Sequence, residues 1–183
     1  VTTGVVDTDA GRLRLQTGTG AAGSATFSSR RTAPYRAGQG MICRVTFPMA
    51  EAVDNFTQLC GAGDTSDGYF FGSKDKRYGV LHRNNGTDTW YYRDAWNGDK
   101  CDGGENSEFQ WKPGFGSPLM IMYPFLGYGN ITYWMQNPNT SRWVLCHTVK
   151  YSNTSKSIEV RNPNLSVYAN VTNTGSTTNS IAY

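Results

Sequence analysis

The sequence has little charge, little histidine and no long apolar run, and each shortage removes a class of function. Charged residues make up 17% of the 183, below the ~25% of an average soluble domain, and the net charge is only +3. That is too weak for a nucleic-acid-binding arm or a membrane-surface patch, so neither nucleic acid nor membrane insertion is expected. No stretch approaches the roughly 18 apolar residues of a membrane-spanning helix. The longest, Pro118 to Leu126, is broken by Pro124, and a soluble protein is expected. The chain begins at Val1 with no basic-then-apolar leader, which reads as a fragment or processed chain whose targeting segment has been removed.

Histidine is confined to His82 and His147, each inside an alternating apolar pattern, where a structural ring is expected. A nucleophilic triad needs a Ser or Cys, a His and an acid converging from different loops, and no G-x-S-x-G elbow is present. Paired carboxylates for glycoside hydrolysis must stand ~5 to 9 Å apart. The nearest grouping, Glu105 and Glu108, lies in a Gly-rich stretch with the wrong spacing for one strand face. The chain is therefore expected not to be an enzyme. The four cysteines, Cys43, Cys60, Cys101 and Cys146, are far apart with no C-x-x-C, which excludes a common zinc arrangement. They permit three pairings, and Cys43 also reads as a plain buried thiol.

Helical periodicity is nearly absent too, and what replaces it is period-two alternation from end to end. In Met41 to Phe47, the residues Met41, Cys43, Val45 and Phe47 share one face. In Leu165 to Thr172, the residues Leu165, Val167, Ala169 and Val171 point inward while Ser166, Tyr168, Asn170 and Thr172 point outward. Roughly eleven short strands follow from such patterns, with Asn85-Gly86, Asn97-Gly98, Pro113-Gly114 and Asn137-Pro138 as turns between them. Only Ala50 to Phe56 has any helical character. The expected fold is all-β, an antiparallel two-sheet sandwich with jelly-roll, concanavalin-like topology, forming one domain over 1–183 with mobile ends at 1–10 and 173–183. Gly18, Gly20 and Gly23 match G-x-G-x-x-G, but a strand rather than a helix follows, so the stretch is a turn.

Three sets of residues are candidates for function. Trp90, Tyr91 and Tyr92 sit in one strand, and alternation puts Trp90 and Tyr92 on the face opposite Tyr91. Trp90, Tyr92 and Trp96 are the candidate ligand-binding rings, since exposed aromatics stack on the apolar faces of sugars and anchor interfaces. Asp64 and Asp67, with Asp99 and Asp102 as a second pair, offer oxygen ligands for Ca²⁺, although acids in Gly-flanked turns equally form Asx turns. No other cofactor is expected. Seven Asn-x-Ser/Thr sequons, at Asn55, Asn85, Asn130, Asn139, Asn153, Asn164 and Asn170, are candidate glycosylation sites.

Several segments together resemble structural proteins of large DNA viruses and phages. They are Tyr35 to Gly40, Gly61 to Gly72 with Tyr78 to Arg83, Trp96 to Lys100, Phe125 to Gly129, His147 to Tyr151, Arg161 to Pro163 and Val171 to Gly175. The likeness runs in order over about residues 24 to 178. It implies a non-enzymatic capsid-associated, spike or fibre-head module on a concanavalin-like jelly roll, and supplies no catalytic or metal site. Cys60, Cys101 and Cys146 depart from the pattern. On this resemblance the expected role is a virion-surface, extracellular domain that binds a host-surface glycan or receptor or neighbouring virion proteins, with a homotrimer as one expected assembly. The alternative is a cellular carbohydrate-binding module or lectin.

Overall fold

Three tight turns fix the hairpins from which the sheets grow. Ala10-Gly11, Asp75-Lys76 and Asn85-Gly86 each place two successive residues at positive φ, the geometry of the type I′ turn that joins antiparallel strands without splaying them. The computed structural model describes residues 4–18, 20–36, 38–124, 128–175 and, as backbone, 181–182. The outermost residues of both expected mobile ends and the Phe125-Leu126-Gly127 part of one resembling segment lie outside the described residues.

Among the described residues there are thirteen strands and one 3₁₀ turn. In order they are β1 (Val5–Asp9), β2 (Arg12–Gln16), β3 (Ser24–Ala33), β4 (Met41–Thr46), β5 (Phe56–Gly63), β6 (Gly68–Lys74), β7 (Arg77–Asn84), β8 (Thr87–Tyr92), the 3₁₀ turn Arg93–Ala95, β9 (Pro118–Tyr123), β10 (Ile131–Gln136), β11 (Trp143–Val149), β12 (Leu165–Asn173) and β13 (Ile181–Ala182). A six-stranded antiparallel sheet runs β3-β12-β5-β6-β7-β8 and a four-stranded one β11-β10-β9-β4. These are the two faces of the expected sandwich. A third, small sheet, β1-β2-β13, was not foreseen. Among the described residues no helix is long and apolar enough to cross a membrane.

The core lies between the two large sheets. Phe71 of β6 meets Tyr133 of β10 edge-on at 5.4 Å, and Tyr69 meets Tyr123 of β9 at 4.8 Å. Such offset and edge contacts suit a ~10 Å inter-sheet space. The alternation in β4 is as read: Cys43 and Phe47 are buried while Ile42, Arg44 and Thr46 are exposed. Ala50 to Phe56 does not form a helix. Instead the buried Gln58 side chain accepts from Ala50 N–H and donates to Ala50 C=O, holding the strand's approach in an extended shape.

Two local departures matter for the site. In β12, Tyr168 points outward as expected but is only 4% exposed, and Val167 points toward the inter-sheet space yet is 43% exposed. Second, Tyr133 pairs with His147 but Trp134 pairs with Leu145, so Cys146 is the extra residue of a β-bulge. The bulge turns Cys146 and His147 both into the core, where simple alternation would expose one.

Candidate functional site

The outer face of the six-stranded sheet carries its own small apolar cluster. Leu59, Phe70, Leu81 and Tyr168 are buried there with Trp90 packed against them. Glycine makes this possible. A Cβ on Gly63 would come within 2.3 Å of Phe70 Cζ, and one on Gly68 within 2.5 Å, so the ring lies over positions where only a hydrogen fits.

At the free edge of that face stand Trp90 and Tyr92, as alternation placed them. Their rings are parallel to within 7° with centroids 5.7 Å apart. The Asn85-Gly86 turn sets the register that pairs Gly79 with Tyr92, Leu81 with Trp90 and Arg83 with Asp88. Arg77, two residues before Gly79, lays its guanidinium 3.7 Å from the Tyr92 ring centroid and donates to both oxygens of Asp94 at 2.9 and 3.1 Å. On the other side of Trp90, Arg83 grips Asp88 at 2.6 and 3.0 Å and lies 5.5 Å over Phe70. The hydrogen bond from Arg77 holds the Asp94 carboxyl below the usual carboxylate range. Two half-buried rings are thus flanked by two Arg–carboxylate pairs, Arg83 gripping Asp88 through Nε and Nη2 and Arg77 reaching both Asp94 oxygens through Nη2. A cleft of about 290 Å³ adjoins Arg77 and is lined also by Tyr78, Arg93, Asp94, Lys100 and Asp102.

Trp96, the third expected ring, does not join them. It is 4% exposed in the inter-sheet core and donates its Nε1–H to Tyr91 C=O at 3.0 Å. Arg77, Asp94, Arg83 and Asp88 escaped the sequence reading, although the two-residue turn and the parity of β7 carried the signal: residues 83 and 88 must then face each other.

The expected Ca²⁺ ligands have other work. Asp64 Oδ1 accepts from the N–H groups of Ser66 and Asp67, and its Oδ2 accepts from Asn162 Nδ2. Asp67, 3% exposed, accepts from the N–H groups of Asn85, Arg161 and Asn162. They are staples joining the β5–β6 turn to the β7–β8 turn and to the approach to β12, which is the Asx-turn reading extended across the fold. Asp99 accepts from Cys101 N–H, Ser107 Oγ–H and Glu108 N–H. Burial pushes its carboxyl up, but those donors outweigh it and leave it below the ordinary value. Asp102 accepts from Gly104 N–H. Among the described residues no three His, Cys, Asp or Glu side chains group as a metal site.

The histidines are core residues. His82 bonds Glu159 C=O and Tyr151 OH, and His147 Nδ1 accepts from Asn97 N–H at 3.3 Å. Burial pushes His147 down to about 4. Glu105 and Glu108 are exposed loop residues. Of the sequons, Asn55, Asn85, Asn139, Asn153 and Asn164 are exposed. Asn170 lies on the outer face as expected, but its Nδ2 donates to Ser24 Oγ, Ala25 C=O and Thr26 Oγ1, and Asn130 Oδ1 accepts from Tyr151 and Ser152 N–H. Both are half-buried.

A second concavity, about 650 Å³, opens between β4 on one side and β3 and β12 on the other. Leu13, Leu15, Phe27, Phe47, Phe115 and Val167 line it, with Arg12 as its charged residue. Nearly all-apolar walls offer little to orient sugar hydroxyls.

No family model matches the chain and no curated protein does, so the likeness to viral structural proteins rests on the sequence segments alone. Solved structures do match. The Emp47p carbohydrate recognition domain is 8% identical over 100% of this chain and 83% of that one, with TM-score 0.52. The Emp46p carbohydrate recognition domain in a potassium-bound form is 12% identical over 98% and 82%, with TM-score 0.51. A legume lectin-like domain from Entamoeba histolytica is 12% identical over 99% and 84%, with TM-score 0.46. The fold is a lectin-like β-sandwich. At these identities the likeness speaks for the architecture alone.

Proposed function

We propose that the chain is a non-enzymatic, lectin-like domain that binds carbohydrate on the outer face of its six-stranded sheet, at Trp90 and Tyr92. The observation that carries this is the parallel pair of half-buried rings framed by Arg77–Asp94 and Arg83–Asp88. Sugars present C–H faces that favour aromatic surfaces and vicinal hydroxyls that favour fork-like donors and carboxylate acceptors. One ring column with an Arg–carboxylate pair toward each end supplies both kinds of contact on one sheet face. That the two solved neighbours with the higher TM-scores are named as carbohydrate recognition domains supports the reading, and favours it over a capsid or spike role.

The test is a glycan array probed with the labelled protein, with Trp90→Ala beside it. The expected result is selective glycan binding, lost in Trp90→Ala and unchanged by EDTA, because Asp64 and Asp67 are already satisfied by N–H donors. A blank array, or binding indifferent to Trp90→Ala with the fold intact, overturns it.

A further inference from the structure

Cys101 and Cys146 are both fully buried, and their sulfurs stand 3.7 Å apart although 45 residues separate them in the chain. Each is placed by a local departure from regular strand geometry. Cys146 is the bulged residue of β11, turned inward by the register shift against β10. Cys101 occupies a left-handed backbone conformation, φ 49°, which a non-glycine residue adopts at a cost. The backbone around them is already docked: Gly98 N–H donates to Cys146 C=O at 3.0 Å, Asp99 N–H to Leu145 C=O at 2.9 Å, and Trp111 N–H to Cys101 C=O at 2.8 Å.

We propose that Cys101 and Cys146 form a disulfide that staples the loop leaving β8 to the edge strand β11 of the opposite sheet. The pairing selects one of the three that four cysteines allow. The sulfurs need to approach by under 2 Å to reach the ~2.05 Å bond, a rotamer adjustment on a backbone already held in place. The chemistry is thiol–disulfide exchange with a small-molecule or protein disulfide as oxidant. One cysteine thiolate attacks a sulfur of that disulfide and expels its first thiol, leaving a mixed disulfide. The second cysteine thiolate then displaces the second thiol. The two cysteine S–H protons pass to the two leaving thiolates, which depart as thiols, two electrons pass to the oxidant, one S–S bond is formed and one is consumed. Because both cysteines are buried, the exchange belongs to folding, before this flank closes, and reduction of the native protein is slow.

The bond also bears on the neighbouring surface. Arg93, the residue after Tyr92, donates to the carbonyls of Lys100 and Cys101, so the staple holds the loop against which the end of β8 rests.

The test uses the Cys43→Ser/Cys60→Ser variant, in which Cys101 with Cys146 is the one intramolecular pairing left, and the wild-type chain. Both are refolded in a mixture of oxidised and reduced glutathione. Expected are loss of two hydrogens in the intact mass of the variant, a 101–146 linked peptide in non-reducing digests of both proteins, and a Tm raised by about 5–10 °C over the reduced form. That rise disappears in Cys146→Ser. Free thiols at 101 and 146 after refolding, or a linked peptide joining either one to Cys43 or Cys60, overturn the proposal. If the double variant fails to fold, the wild-type digest decides alone.

Discussion

Arg77 sits over Tyr92, its Cζ 3.7 Å from the ring centroid, while its Nη2 donates to both oxygens of the Asp94 carboxylate. One side chain from β7 thus fixes both a ring and an acid at the edge of the sheet. The Tyr92 ring thus contacts the guanidinium and the Trp90 ring alike, and the acid is held below the usual carboxylate range because Arg77 donates to it.

The first prediction concerns that column. Arg77→Ala is expected to leave the fold intact, since an exposed cation–π contact contributes only about 0.5–1 kcal/mol, but to weaken glycan binding about tenfold by freeing Tyr92 and Asp94. Thermal melts and titration of the best array ligand check the two halves.

Trp96 predicts the opposite pattern to Trp90. At 4% exposure, and with its indole N–H on Tyr91 C=O, Trp96→Ala should cost about 3–5 kcal/mol through the cavity it leaves. Denaturant unfolding of Trp96→Ala and Trp90→Ala side by side separates a core ring from a surface one.

Asp67 offers a test of staple against metal ligand. Asp67→Ala strands the N–H groups of Asn85, Arg161 and Asn162 that the buried carboxylate accepts and should cost about 2–4 kcal/mol. The wild-type Tm should be the same in Ca²⁺ and in EDTA. A rise of several degrees with Ca²⁺ would return Asp64 and Asp67 to metal binding.

Stability should peak between about pH 4.5 and 6.5. Burial raises Glu159 from 4.5 to about 8, and both its oxygens lack partners among Tyr69, Tyr133, Tyr151 and His82 around it. Between those values the folded state holds a proton that the unfolded state has lost, so stability falls as pH rises from 4.5 to about 8. His147, pushed down to about 4 from 6.5, works in the other direction: the unfolded chain is the one protonated between those values, so stability falls as pH drops from 6.5 toward 4. His82, also lowered by burial, adds to the acidic side. Tm measured across pH should show both limbs, and Glu159→Gln should remove the alkaline one.

A fifth prediction follows from the glycine floor of the outer face. Gly63→Ala puts a Cβ within 2.3 Å of Phe70 Cζ and 2.6 Å of Asp67 C=O. That carbonyl is tied to Asp64 N–H in the β5–β6 turn and cannot readily yield, so a loss of more than about 2 kcal/mol is expected, measurable as a lowered denaturant midpoint.

The architecture and one edge of the candidate site were legible in the chain itself. Alternation gives strand, face and parity without reference to anything distant, which is why Cys43 and Phe47 are buried as read and why Trp90 and Tyr92 share a face opposite Tyr91. Asn85-Gly86 fixes its own hairpin because a two-residue turn with both φ positive permits a single register, and that register already joins Arg83 to Asp88. What tertiary structure decided was everything that depends on segments far apart in sequence. Trp96 is a core ring because the β8–β9 connection folds beneath the sheet, and Asp67 is a staple because residues 161 and 162 arrive from the far end of the chain. Cys146 meets Cys101 because a bulge in β11 breaks the alternation that local pattern assumes. Alternation is a property of one strand's pleat. Contacts between sheets depend on how two pleats are laid against each other, and only the folded packing of their side chains sets that.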